Sequence, residues 1–336
     1  MIDWLFADQN LPVVFAVLMA IAILVYAILD GYDLGVGILL PMDTAQQRDT
    51  AIASIGPFWD ANETWLVLAI GLLLVAFPAA HSEILRALYL PATLMLIGLI
   101  LRGVAFDFRA KVAVTEKHRW DRAFKVGSII TSMSQGFMLG MYVMGLDYNW
   151  ISVGFALLGG VGVTTAYALI GASWLIMKTN GDLQLRAIAW AKKTGVISFI
   201  GILLVCFINP LINPFVYERW LTPPLGYFVS AIPLLCFSMF ALGYQVLKRL
   251  PLADHQGDWL PFSMTTIVFI CCFAGLALSF YPYVVPQQLT IFDTASAPES
   301  LRIMLVGSLF VLPMIIGYTV FAYFAFRGKA QALNYY

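Results

Sequence analysis

Charge is what this chain has least of. Asp, Glu, Lys and Arg together make up 11% of its 336 residues, against roughly 25% in an average soluble domain. Hydrophobic residues make up 61%, and mean hydropathy is +0.86. A chain of this kind cannot cover a globule with polar side chains, so it reads as an integral membrane protein. Acids and bases balance at 19 each. No basic domain stands out, which argues against a polynucleotide partner. Histidine is nearly absent. His81, His118 and His255 fall in predicted loops or at span ends, none at helical spacing from another, so the chain is a poor candidate to hold a bis-histidine haem by itself. The four cysteines, Cys206, Cys236, Cys271 and Cys272, lie inside apolar runs without a C-x-x-C pair, and neither a disulfide nor a thiolate-metal site is indicated. A Gly-rich phosphate loop and a Ser-His-Asp set are also missing, which disfavours a complete active site within this chain.

What is present is a series of long apolar runs. A bilayer core of about 30 Å needs roughly 20 residues per helix. Nine stretches qualify: about 12 to 36, 58 to 80, 86 to 108, 122 to 146, 151 to 177, 192 to 214, 224 to 247, 259 to 281 and 302 to 326. They leave no room for a soluble domain, and residues 1 to 336 are expected to form a single transmembrane domain. The N-terminal MIDWLFADQN carries two acids and no Lys or Arg, and no A-x-A-like cleavage site follows, so the first span is expected to stay in the mature protein. Arg48, Arg109, Lys111, Lys117, Arg119, Arg122, Lys178, Arg186, Lys192, Lys193, Lys248, Arg249, Arg327 and Lys329 fall on one side of these spans, against Arg86, Arg219 and Arg302 on the other. By the positive-inside rule the N-terminus is outside and the C-terminus cytoplasmic. Trp4, Trp150, Trp220 and Trp259, near span ends, read as interfacial anchors.

The few charges inside the spans are clustered. Asp30 and Asp33 lie in LDGYDLGVG, Asp60 and Glu63 in GPFWDANETWLVL, and Arg102 and Asp107 in LRGVAFDFRAK. All six are expected in the cytoplasmic half of the first three spans. An intramembrane charge costs about 2.5 to 3.5 kcal/mol even on the mildest scale, so each is a functional candidate. The members of each acidic pair are three residues apart and can share a helix face, whereas Arg102 and Asp107 are five apart and poorly placed for each other. Arg102 is therefore expected to reach an acid on a neighbouring helix. Five acids against one arginine fit a hydrated, protonatable cluster at the inner mouth of a proton path; ion pairs that lock three helices together would account for the same residues. Two classes follow from the residues alone: a cofactor-free subunit of a membrane enzyme, or a proton-coupled secondary transporter.

LDGYDLGVG, PFWDANETWL, LRGVAFDFRAK, KTNGDLQLRA, YPYVVP and LTIFDTAS, in this order and spacing, resemble the second subunit of cytochrome bd-type quinol oxidases; the short chain and loops are similar to the cyanide-insensitive branch. The resemblance implies nine transmembrane helices, arranged as two four-helix bundles with one peripheral helix. It also implies a heterodimer with a haem-bearing subunit I in the bacterial inner membrane, in some relatives with a small accessory subunit. That partner would hold two b-type haems and one d-type haem, oxidise quinol and reduce dioxygen to water with cytoplasmic protons, while this chain binds no metal. A bound quinone or lipid is allowed by analogy. Residue by residue, the resemblance places Asp60 on a proton path, and Trp59 and Trp65 at an oxygen route or the subunit interface. Asp30, Asp33, Arg102, Asp107 and Arg109 would be structural or path-lining. Glu63 stands where relatives often carry Gln, and so adds a charge that the family pattern does not require.

Overall fold

A computed structural model describes residues 6–113, 116–223, 225–252 and 256–330. Trp4 and His255 lie outside them. The described residues form eleven helices and one small hairpin: α1 (Leu11–Leu39), α2 (Ala45–Ile55), α3 (Trp59–Ala76), α4 (Pro78–Lys111), α5 (Lys117–Val143), α6 (Trp150–Lys178), α7 (Gly181–Ile212), α8 (Pro214–Leu221), α9 (Leu225–Arg249), α10 (Leu260–Phe280), β1 (Tyr283–Val285), β2 (Leu289–Thr290) and α11 (Pro298–Ala325).

Eight of these helices, namely α1, α3, α4, α6, α7, α9, α10 and α11, are long and apolar enough to cross a membrane. The chain is thus a multi-pass, all-helical membrane protein. The expected span over 122 to 146 is a helix too, α5, with 27 residues. Its middle, GSIITSMSQG, is diluted by Ser, Thr, Gln and Gly, and it is not among the eight. Those polar side chains are accommodated because α5 packs against α1, α4 and α6, with Ser128, Thr131 and Ser132 fully buried. Ser128 and Ser132 donate to carbonyls four residues back, at 2.9 and 2.5 Å, so the hydroxyls stay satisfied within the helix.

Small residues set the spacing around α1. A Cβ on Gly35 would stand 1.8 Å from the Tyr167 carbonyl oxygen, and one on Gly171 would stand 2.4 Å from the Gly35 carbonyl carbon, so α1 and α6 cross backbone to backbone. A similar contact joins α4 to α5, where a Cβ on Gly127 would lie 2.9 Å from the Arg102 nitrogen. This approach fixes the depth at which Arg102 enters the bundle. Within α4, Pro91 cannot donate to the Ala87 carbonyl, and Leu88 leaves helical geometry (φ −108°, ψ 15°). The Tyr148 hydroxyl donates to that Ala87 oxygen instead, at 2.8 Å.

Two of the connections between the long helices carry structure. Residues 37 to 57 contain α2, and residues 282 to 301 contain the antiparallel pair β1–β2, in register Tyr283 to Thr290. The hairpin closes one end of the molecule, where Tyr142 donates to the Val284 carbonyl at 3.0 Å. The other end gathers the basic residues, several of which satisfy orphan helix C-terminal carbonyls. Lys125 donates to Leu40 O at 3.0 Å, Lys178 to Phe326 O at 2.8 Å and Lys329 to Thr179 O at 2.9 Å. Basic side chains at this end thus close α1, α6 and α11.

Candidate functional site

Three helices supply the central cluster. The last third of α1 brings Asp30 and Asp33, the first turns of α3 bring Asn62 and Glu63, and Arg102 descends from α4 beyond its Pro91 bend. Arg102 is 1% exposed, and its Nη2 donates to Asp30 Oδ1 at 2.6 Å and to Glu63 Oε1 at 2.5 Å. One guanidinium therefore bridges α1 and α3, as the spacing argument required. Asp30 is fully buried, while the Glu63 side chain keeps 29% of its surface exposed. Glu63 is the cluster's contact with the surroundings.

Asp33 does not touch Arg102. Its Oδ2 accepts from Asn62 Nδ2 at 2.7 Å, and the same amide nitrogen lies 2.9 Å from the Tyr32 hydroxyl. Tyr32 and Tyr323 share a hydrogen bond of 2.6 Å between their hydroxyls, and Tyr323 reaches Asn62 Oδ1 at 3.3 Å. This second, connected network ties α1 and α3 to α11. Several buried atoms in the two networks, Asp30 Oδ2, Asp33 Oδ1 and Arg102 Nε and Nη1, have no protein partner among the described residues. Buried polar atoms of this kind are ordinarily met by internal water. Toward the hairpin end of α1, Gln135 bridges Tyr26 (2.6 Å) and Tyr167 (2.8 Å).

Asp60 and Asp107 are elsewhere. Both are exposed, and neither forms an ion pair among the described residues. Asp60 shares a face of α3 with the exposed Thr64 and Val67, so the pair that spacing treated as one unit divides: Glu63 turns inward and Asp60 outward. Trp59 packs on Phe106 with ring centroids 4.9 Å apart. Trp65 is 4% exposed and packs with Ala22, Tyr26 and Ala69, its Nε1 without a partner among the described residues.

A further ionic cluster, closer to the basic end, was not singled out from sequence. Asp121 is fully buried; its Oδ1 accepts from Arg109 Nε at 2.5 Å and its Oδ2 forms an ion pair with Arg48, whose Nε is 2.7 Å away, while Arg109 also pairs with Asp49. It fastens α2 to α4 and α5. Helical spacing offered Asp121 the lysines of its own helix, Lys117 and Lys125, whereas the arginines it pairs with come from other elements. Asn62 and Tyr323 were missed for a different reason. An uncharged amide or a lone tyrosine in an apolar run looks like packing until its partners are known. Outside the spans, Arg186 Nη1 bonds both oxygens of Asp43, at 3.0 and 2.9 Å, and holds that carboxyl below the usual carboxylate range.

Among the described residues, the two histidines are not placed to share a haem. His81 sits in the first turn of α4 and His118 in the first turn of α5, helices that run antiparallel to each other, so the two imidazoles lie at opposite ends of the bundle.

A family model described as cytochrome bd terminal oxidase subunit II matches residues 11–326. The chain is 29% identical to cytochrome bd ubiquinol oxidase subunit 2 of Bacillus subtilis (strain 168), over 94% of this chain and 95% of that one. It is 26% identical to cytochrome bd-I ubiquinol oxidase subunit 2 of Escherichia coli (strain K12), over 98% and 96%. Among solved structures, a chain of the bd oxidase from Geobacillus thermodenitrificans superposes with a TM-score of 0.76 at 19% identity, over 95% of this chain and 99% of that one, which is a likeness of fold.

Proposed function

Because this chain belongs to the cytochrome bd terminal oxidase subunit II family, we propose that it is the second subunit of a quinol-oxidising, dioxygen-reducing complex of the bacterial inner membrane. The match over nearly the whole chain carries this reading, and it supersedes the transporter alternative. The haem chemistry belongs to a partner subunit I. With α5 counted by its length, the chain has nine spanning helices in one transmembrane domain, organised as two four-helix bundles and a peripheral helix. Its N-terminus is outside, and the basic end faces the cytoplasm.

On this reading the chain's own residues move protons rather than electrons. Asp60, on the outer face of α3, takes protons at the border with the partner. Glu63, partly buried and bonded to Arg102, connects the surroundings to the buried acids. Two carboxylates, Asp30 and Glu63, hold one guanidinium, and a third, Asp33, stands one turn from Asp30 on α1, so the group can take up and release a proton without leaving an unpaired arginine. Asn62, Tyr32 and Tyr323 supply hydrogen-bond continuity towards α11. Asp107 lines the path near its cytoplasmic mouth. Trp59 and Trp65 border an oxygen route or the subunit contact, and Trp65 has the apolar surroundings that dissolved gas favours.

The test is Asp60→Asn in the assembled complex, with oxygen consumption and haem absorbance measured together. Slowed consumption with full haem content is expected. Full activity with normal assembly removes Asp60 from the path, and joint loss of haem and activity assigns it to holding the dimer together.

A further inference from the structure

A groove of about 280 Å³ lies between α6, α7, α9 and α10, away from the Arg102 cluster, in the half of the bundle nearer the basic end. It exists because small residues stand where helices would otherwise close: Ala191 and Gly195 on α7, Ala241 and Gly243 on α9. Its interior suits hydrocarbon. The two hydroxyls on its wall, Ser173 and Thr265, turn back to carbonyls of their own helices at 2.9 and 2.8 Å and to each other at 3.3 Å, which leaves little capacity for a polar head group inside.

The mouth has a different chemistry. Lys192 lies one helical turn from Gly195 and Val196 on the groove face of α7. On α9, Lys248 holds its ammonium 4.7 Å from the ring centre of Tyr244, a groove residue, one turn away. Lys248 stands at the end of its span and Lys192 at the head of the uninterrupted apolar stretch of α7, which begins after Lys193, and neither has a carboxylate partner among the described ion pairs. The nearby acid at the start of α10, Asp258, is engaged by Lys329 at 2.6 Å and Gln184 at 2.7 Å, so it does not neutralise them. An apolar slot whose membrane-surface rim carries two such ammonium groups matches one kind of molecule in its surroundings, a lipid with an anionic phosphate head and a long acyl chain.

We propose that this groove binds an anionic glycerophospholipid, with one acyl chain between α7, α9 and α10 and the phosphate between Lys192 and Lys248. The site is independent of the proton reading, since it shares no residue with it. Bound there, the lipid fills the space opened by the small residues and joins α9 to α6 and α7.

The test uses the whole complex in nanodiscs doped with a phosphatidylglycerol bearing a photoactivatable diazirine on its acyl chain, and with the matching phosphatidylcholine probe. Labelling by the phosphatidylglycerol probe should concentrate on peptides carrying Val196, Met239 and Met264. It should exceed phosphatidylcholine labelling there at least fivefold, and Lys192→Ala with Lys248→Ala should abolish that excess while haem absorbance and assembly stay unchanged. Equal labelling by the two probes, labelling spread evenly over all lipid-facing helices, or retention of a quinone at these peptides in place of the lipid would overturn the proposal. A double variant that fails to assemble is replaced by wild-type complex with unlabelled phosphatidylglycerol as competitor. Competition by phosphatidylglycerol and not by phosphatidylcholine is then expected, and indifference to both overturns the proposal.

Discussion

The pairing of Arg102 with Asp30 can be tested quantitatively, because both partners are almost completely buried, at 1% and 0% exposure. Replacing Arg102 by Met keeps much of the side-chain length and removes the charge, leaving Asp30 buried without its counter-ion. Breaking a buried pair in this way costs about 3 to 5 kcal/mol. The Glu63 arm adds less, since a partly exposed carboxylate recovers solvation when its partner leaves, and about 1 kcal/mol or under is the appropriate scale. Asp30→Asn in the same background removes the stranded charge. The double variant Asp30→Asn with Arg102→Met should therefore recover about 2 kcal/mol of the loss, a coupling within the range seen for directly contacting groups. The assay is unfolding of the purified complex in mixed micelles with increasing denaturing detergent, followed by haem absorbance and by fluorescence of the chain's tryptophans. Were Arg102→Met to lower stability by under about 1 kcal/mol, or the double variant to be no more stable than the single, the cluster would not be a buried electrostatic unit, and ion pairing would not explain why α1, α3 and α4 converge.

Three further outcomes follow from the geometry. Glu63→Gln keeps an oxygen for Arg102 Nη2 and removes only the titrating group, so the complex should assemble normally while oxygen consumption falls by roughly tenfold or more if Glu63 is an obligate relay; unchanged turnover would leave it a structural partner. Gly171→Leu forces a side chain into the Gly35 backbone, where even a Cβ would approach to 2.4 Å, and should cost over about 3 kcal/mol, beyond the usual 1 to 3 for overpacking because backbone rather than a side chain must move. It is read as loss of assembled complex in membranes, with Gly201→Leu, a position with open space, as the tolerated control. Asp43, held below the usual carboxylate range by Arg186, contributes stability that is present above its unfolded value and is lost as pH falls through the lower folded one. Amide exchange in residues 40 to 47 should accordingly rise only below the ordinary carboxylate range near about pH 4, and Asp43→Asn should raise it at neutral pH and flatten that response.

Much of the molecule was legible in its residues because the bilayer imposes a simple rule. Every spanning backbone must satisfy its own hydrogen bonds, so a run of about 20 apolar residues has few alternatives to a helix. Eight of the nine expected spans met length and apolarity together, and the ninth, α5, departed because its serines, threonines and Gln135 are covered by α4 and α6 rather than by lipid. The short α2 and the β1–β2 hairpin were not legible, since short elements in loops take their shape from what they pack against. Membership of the candidate site divided in the same way. That Asp30, Asp33, Glu63 and Arg102 would group was readable, because an intramembrane charge must find a partner. Which oxygen met which nitrogen was not.

The sequence by itself determined a membrane protein with nearly all its basic loop residues on one side and a handful of buried charges on its first three long helices. Tertiary structure decided that Glu63, and not Asp60, bonds Arg102, that Asp33 belongs with Asn62, Tyr32 and Tyr323, and that Asp121 anchors a second cluster. Helical spacing gives the face on which a residue stands, but rotation of that face toward a neighbour is set by backbone contacts such as Gly35 with Gly171 and Gly127 with Arg102. Those contacts join residues far apart in the chain, and no local pattern encodes them.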